Sequence, residues 1–384
     1  MINLPRIPGG QAGEPADQAG RAQGALYGLA IGDALGMPTQ LLTRPEIVAR
    51  WGPLLTGFEP APDGHPIAAG HPAGAITDDT EQAVLLGRLL VAGGGTVGSR
   101  ELADALVAWE ADMAARGSLD LLGPSTRRAV AAVQAGTPPE EAGGTGDTNG
   151  AAMRIAPVGI AVPILARSQP RPPAPSDNSK RRAARPARAA RPAVVTPETL
   201  EALVDRVVDA SFVTHGTSLA LAGAAAVAAA VSAGVSGATV PKATAAAIAA
   251  ARIAAGRGRW VAGADVAARI EWATQLVAGR PRDEAADLIY RLVGTGLATQ
   301  ESVPAAFAAL AVTADDPWLT CRFAASLGGD CDTIAAMAGA VAGACHGIAA
   351  FPGQAVATID RHALDLPGLA GALLALRRTA VNQP

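Results

Sequence analysis

The stretch SLGGDCDTIAAMAGAVAGA at positions 326–344 decides the fold. Positions 334–344 are all Ala, Gly, Ile, Met or Val, which reads as an Ala-rich helix buried in a protein interior. Asp330, Asp332 and Thr333 stand at its start, and Gly328-Gly329 before them permit close backbone approach. The rest of the 384 residues has the same character: 49% are hydrophobic but only 3% are aromatic, so Ala and Gly carry much of the apolar count. Helices faced with such residues approach to the short end of the ~8–10 Å interaxial range. β-Sandwiches and barrels want more β-branched and aromatic residues. The composition therefore predicts an all-α protein.

Helical spacing recurs along the chain. Leu102, Leu106 and Trp109 share one face, as do Ala285, Leu288, Ile289 and Leu292, and Val84, Leu85, Leu89 and Leu90 follow Thr80. Gly and Pro punctuate these runs, and no alternating strand pattern or fixed repeat stands out. Positions 216–240 hold no charged residue but are mostly Ala and Gly with serines, which suits a core helix ending near Gly234 better than a membrane span.

Residues 1–18 read as a flexible leader without the basic start and apolar run of a signal peptide. Residues 19–380 read as one domain. Within it, 167–196 is a basic Pro/Arg-rich insertion, expected to be disordered. Its segment RSQPRPPAPSDNSKRRAARPARAARP at 167–192 has eight Lys or Arg and one Asp, with prolines that break any helix. The net charge of −3 excludes a generally basic nucleic-acid binder, leaving that insertion as the one place for an acidic or nucleic-acid partner. Cys321, Cys331 and Cys345 have no paired spacing, so neither a disulfide scaffold nor a Cys-rich zinc site is expected and a cytoplasmic setting is.

A second acidic cluster, ITDDTE at 76–81, matches the first. Each cluster alone also serves as an ordinary helix N-cap, since Thr and Asp favour that position and acidic groups favour the positive helix end. Each nevertheless has more carboxylates than a cap needs. If the two meet, they offer Asp78, Asp79, Asp330 and Asp332 with Thr77 and Thr333. That all-oxygen set suits Mg²⁺ or Mn²⁺, and two ions ~3.5–4 Å apart would relieve the charge.

The chain resembles the ADP-ribosylglycohydrolases, including the hydrolase of ADP-ribosylated dinitrogenase reductase. The motifs are GLAIGDALGMP (28–38), ITDDTEQA (76–83), DLLGPSTRRA (120–129), TNGAAMRIAPVG (148–159), THGTSLA (214–220) and SLGGDCDTIAAMAGAVAGA (326–344). They occur in the family's order. The resemblance implies a compact single helical domain with a two-metal site at the bottom of a cleft. The implied ligands of two Mg²⁺ or Mn²⁺ ions are Thr77, Asp78, Asp79, Asp330, Asp332 and Thr333. The resemblance implies that Asp120 contacts the scissile end of the substrate, and Asp79 or Asp332 is expected to act as the catalytic base that activates a metal-bound water. The loop reads Asp120-Leu121-Leu122-Gly123, one residue longer than the family element. Asn149, Gly150 and Met153 are implied near the diphosphate and His215 near the substrate. Asp33 in GDALG either ends a helix or joins the substrate-binding set with Gly123 and Gln40.

Gln40 stands where many members carry Glu, and an amide cannot act as a base. Three activities follow as expectations. The first is removal of ADP-ribose from a modified, arginine-type protein side chain. The second is the same hydrolysis of a small N-ribosyl compound. The third is non-catalytic binding of ADP-ribose. His65, His71, His346 and His362 are expected to be structural or surface residues, and Arg127-Arg128 a solvated face.

Overall fold

A computed structural model describes residues 15–117, 122–166 and 194–382. Helices α1 (Pro15–Gly36), α2 (Arg44–Trp51), α3 (Asp78–Ala92), α4 (Ser99–Ala115), α5 (Pro124–Gln134), α6 (Pro139–Ala142), α7 (Gly150–Arg154) and α8 (Ala156–Ala161) come first. After them come strands β1 (Leu165–Ala166) and β2 (Val194–Val195), then α9 (Pro197–Asp209), α10 (Ser218–Val235), α11 (Val240–Ala254), α12 (Val266–Leu276) and α13 (Arg282–Leu288). The chain closes with α14 (Thr299–Val312), α15 (Pro317–Ala325), α16 (Cys331–His346), α17 (Gly353–Asp360) and α18 (Leu366–Asn382).

The central contact pairs α1 with α16. Gly24, Gly28, Gly32 and Gly36 recur every four residues and so share one face of α1. A Cβ on them would lie 2.3 Å from Gly343 O, 2.1 Å from Gly339 O, 2.1 Å from Ala335 O and 2.2 Å from Asp332 Cα, respectively. As the number rises on one helix it falls on the other, so the pair is antiparallel, backbone against backbone. Such contact gains dispersion along its whole length and tolerates no side chain.

Beside this pair lies α10, every residue of which is buried. It is long and apolar enough to cross a membrane, yet it sits wholly inside the protein, as expected for a core helix. Arg377 of α18 bridges the ends of α10 and α8: Nη2 donates to Ser232 O of α10 at 3.0 Å, and Nη1 donates to Gly159 O, Ile160 O and Val162 O at the end of α8 at 3.0–3.1 Å. Burial pushes this guanidinium down to about 9, so it is still charged at neutral pH, and helix C-terminal carbonyls favour that charge.

Four sequence expectations change. Helix α1 begins at Pro15, inside the stretch read as a leader, and residues 1–14 lie outside the described residues. Residues 194–196 of the supposed insertion are ordered: Leu165 and Ala166 pair antiparallel with Val195 and Val194, and Thr196 caps α9. Residues 167–193 lie outside the described residues. That pair is the one two-stranded sheet among the described residues, where no strand was expected. Finally, Leu292 is exposed, because Ile289–Val293 forms a π turn. The wider turn rotates Val293 into the interior in place of Leu292.

The α1–α16 packing predicts opposite results for two Gly→Ala changes. Gly32→Ala drives a methyl into a backbone carbonyl and costs about 1–3 kcal/mol or prevents folding. Gly20→Ala, in the same helix with nothing within 4 Å of the added carbon, stabilises by about 0.5–1 kcal/mol. Thermal denaturation of both variants checks this.

Candidate active site

The site starts where α1 ends. Asp33 is fully buried, and its carboxylate accepts from Thr77 N (3.0 Å), Thr77 Oγ1 (2.7 Å), Thr80 N (3.2 Å) and Thr80 Oγ1. It thus clamps the first turn of α3 from below. Burial raises its pKa, and these hydrogen bonds oppose the rise. Asp33 does not line the cavity, so its effect on the site is to position the acidic turn.

The α16 end arrives through the double glycine. Gly328 and Gly329 have φ of +88° and +74°, and a Cβ on Gly329 would lie 2.3 Å from Thr295 O. Leu41 N donates to Gly329 O at 2.7 Å, and Leu41 itself sits at φ +60°, a strained conformation at the cavity lip. Asp330 is the α16 N-cap residue, yet its side chain makes no capping bond. Its Oδ2 instead accepts from Asn149 Nδ2 at 2.5 Å. A capping role therefore does not account for this carboxylate.

The two acidic stretches meet. Thr333 Oγ1 donates to Asp79 Oδ2 at 3.1 Å, joining α16 to α3 across 254 positions. A cavity of about 290 Å³ opens there, lined by Asp78, Asp79, Asp330, Asp332 and Thr333 together with Gln40, Gly123, Asn149, Gly150 and Met153. Leu41, Ile67, Leu122 and Leu297 form its apolar walls. Arg127, expected on a solvated face, also reaches its edge. Thr77 is buried behind the cavity, bonded to Asp33 and accepting from Asp79 N. His215 is likewise behind it: a Cβ on Gly150 would lie 2.9 Å from its Cε1. Asp120 lies outside the described residues.

Electrostatics follow from crowding. Asp79 is pushed well above the usual carboxylate range by burial, then by Asp78, Asp332, Asp33 and Asp330. Burial raises Asp330 to about 6, against the pull of its bond from Asn149 and of the nearby Thr333 hydroxyl. His215 is driven well down by burial and by Arg154 and Arg128, so it is neutral. Among the described residues, no three His, Cys, Asp or Glu side chains draw together as a metal-binding group, although the sequence led to that expectation. Like charges repel, and neutral donors take a carboxylate each: Thr333 on Asp79, Asn149 on Asp330 and Gln82 on Asp78. The donor chemistry nevertheless fits a hard cation. It is carboxylate and hydroxyl oxygen, and Asp79 Oδ1 is enclosed without a hydrogen-bond partner.

Several contributors escaped sequence reading. Thr80 faces Asp33 one turn beyond Thr77, a spacing visible in ITDDT. His65, expected to be structural, accepts from Ala68 N through Nδ1 and donates from Nε2 to Gln40 O at 2.8 Å, which anchors Gln40. Arg154 and Gln82 lie inside quoted motifs, but nothing in the spacing marked them.

The helices thus bring two acidic helix starts to one cavity. The family model for ADP-ribosylglycohydrolases matches residues 14–382, and the chain belongs to that family of hydrolases. An uncharacterized protein of Escherichia coli strain K12, YegU, is 32% identical over 360 residues, spanning 93% of this chain and 97% of its own. The ADP-ribosyl-dinitrogen reductase glycohydrolase of Rhodospirillum rubrum is 34% identical over 151 residues, 37% of this chain and 44% of that one. A solved ADP-ribosylglycohydrolase-related protein complex shares the fold at TM-score 0.63 and 23% identity, covering 94% of this chain and 99% of that one.

Asp330 gives a pH prediction. Its folded pKa, about 6, lies above its usual 3.8, so the folded state holds the proton more tightly between these values. Stability of chelator-treated protein therefore falls as pH rises from about 4 to 6, by on the order of 2–3 kcal/mol from this group. Asp330→Asn flattens that decline and is more stable than the parent at pH 7.5. Denaturant titrations across this range decide it.

Proposed function

We propose that the chain hydrolyses an N-glycosidic bond at the anomeric carbon of ribose, dependent on a divalent cation. The first reading is release of ADP-ribose from an arginine-type side chain. One observation carries it: the acidic starts of α3 and α16 share a cavity and are joined by the Thr333–Asp79 hydrogen bond. The family relationship supports the ADP-ribosyl part.

Asp78, Asp79, Asp330, Asp332 and Thr333, with Thr77 set behind them, would hold two Mg²⁺ or Mn²⁺ ions, which when bound would supply charge for the ribose diol and acidify a water. The protein's own groups do the rest. Asp79 or Asp332 accepts a proton from water as the water oxygen bonds to the anomeric carbon and the carbon–nitrogen bond breaks, and the protonated carboxylic acid then returns that proton to the leaving nitrogen. Positive charge building on the ring is offset by the surrounding carboxylates. Asp120, outside the described residues, is the carboxylate that the family resemblance assigns to a guanidinium leaving group, which carboxylates grip bidentately. Asn149, Gly150 and Met153 line the same cavity for the remainder of the substrate.

A second reading is favoured by Gln40. Its Nε2 is enclosed and lacks a partner. That donor suits a leaving group that accepts a hydrogen bond, such as the ring nitrogen or carbonyl of a small N-riboside. A guanidinium offers donors only.

The test combines metal content and turnover. Asp79→Asn and Asp332→Asn are expected to lose bound Mn²⁺ and at least ~100-fold in turnover. Unchanged activity and metal content in both variants would end the proposal. A panel of ADP-ribosyl-arginine peptide and small N-ribosides separates the two readings, and Gln40→Glu shifts preference toward the arginine conjugate.

A further inference from the structure

Beneath the cavity floor, Arg154 makes a chain of hydrogen bonds that the mechanism above does not use. The residue is fully buried on α7. Its Nη1 donates to Gln82 Oε1 at 3.1 Å, and Gln82 Nε2 donates to Asp78 Oδ2 at 2.8 Å. Its Nη2 donates to Thr214 Oγ1 at 2.5 Å. Thr214 Oγ1 donates in turn to Ser211 O, so His215 Nδ1, 2.8 Å away, is the donor to it. His215 Nε2 then accepts from Thr148 Oγ1 at 3.2 Å, next to the Asn149 that holds Asp330.

The chemistry of the first arm admits one arrangement. A guanidinium has donors and no acceptor, so the Gln82 carbonyl must face Arg154. Its NH₂ must then face Asp78. Were the amide turned over, two donors would meet at Arg154 and two acceptors at Asp78, each a buried clash of like partners. Gln82 lies one helical turn from Asp78, so a fixed amide fixes the carboxylate it holds.

We propose that Arg154 is a positioning residue that sets the amide orientation of Gln82 and thereby holds Asp78 in place for a divalent cation. This rests on the reading of Asp78 as a cation ligand. The partners of both terminal nitrogens are neutral, so the cation does not cancel the acidic cluster through a direct ion pair at these atoms. Its charge still acts on Asp78 at longer range, and burial brings it down to about 10 without discharging it at neutral pH.

Three variants of the full chain test this, each with Tm, Mn²⁺ affinity by calorimetry, and the ¹⁵N-labelled Gln82 side-chain amide signal by NMR. Arg154→Met frees the amide. Mn²⁺ affinity falls about 10-fold or more, the range for a lost partner behind a ligand, and the Gln82 NH₂ loses protection from exchange. Arg154→Lys keeps a donor-only cation, so affinity stays within about 3-fold of the parent and the amide stays protected. Thr214→Val cuts the other arm, lowering Tm while leaving Mn²⁺ affinity and the amide signal at parental values. Equal loss of affinity in Thr214→Val and Arg154→Met, tracking Tm, means a merely structural role and overturns the proposal. So does an unchanged Gln82 signal in Arg154→Met. A parent protein that binds no Mn²⁺ defeats the cation reading of Asp78, and with it the part of the inference that concerns the cation. The NMR comparison still decides whether Arg154 orients the amide.

Discussion

The site depends on how closely α1 and α16 approach. Their glycine faces bring backbone to backbone, with Gly36 directly against Asp332 and Asp33 facing back toward α3. Any side chain on those faces would separate the helices by the thickness of a methyl group or more. The start of α16 would then move away from Thr77, Asp78 and Asp79. The packing that makes the fold stable is therefore the same packing that assembles the acidic cavity.

Within that frame, neutral hydrogen-bond donors manage the charge. Asp33, Asp79 and Asp330 all have pKa values raised by burial, and each receives at least one hydroxyl or amide donor. Donors of this kind orient a carboxylate without neutralising it. A salt bridge at the same places would fill the oxygen atoms that a cation or a substrate hydroxyl needs. Of the basic groups near the site, Arg154 stands behind the floor and Arg127 at the rim.

Much of this was legible in the sequence because it rests on short-range chemistry. The all-α fold followed from Ala and Gly dominance. The two acidic clusters could be placed at helix starts from the residues themselves, and Gly328-Gly329 announced a close approach that Thr295 and Arg44 supply. What stayed hidden is three-dimensional. Gly24, Gly28, Gly32 and Gly36 have the spacing of a packing face, but spacing alone does not name the partner helix. Leu292 fitted a 3.6-residue period that the π turn breaks. Asp33 and His215 belong to family motifs yet lie behind the cavity, because hydrogen bonding to Thr77 and Thr214 draws them inward. Gln82 and Arg154 carried no signal, since a buried polar pair looks like any helix surface until its neighbours are known.

The pairing of α1 with α16 also governs when the protein can take shape during synthesis. Gly28 meets Cys321 and Gly339, and the first of these contacts alone spans 293 positions. As the chain leaves the ribosome, the glycine face of α1 stays bare until α15 and α16, some 293 positions further along, have followed it. Arg377 prolongs the delay, because the bridge between α8 and the buried α10 arrives within the closing helix. Contacts of such high sequence separation form slowly, and apolar surface left bare in the meantime is open to aggregation.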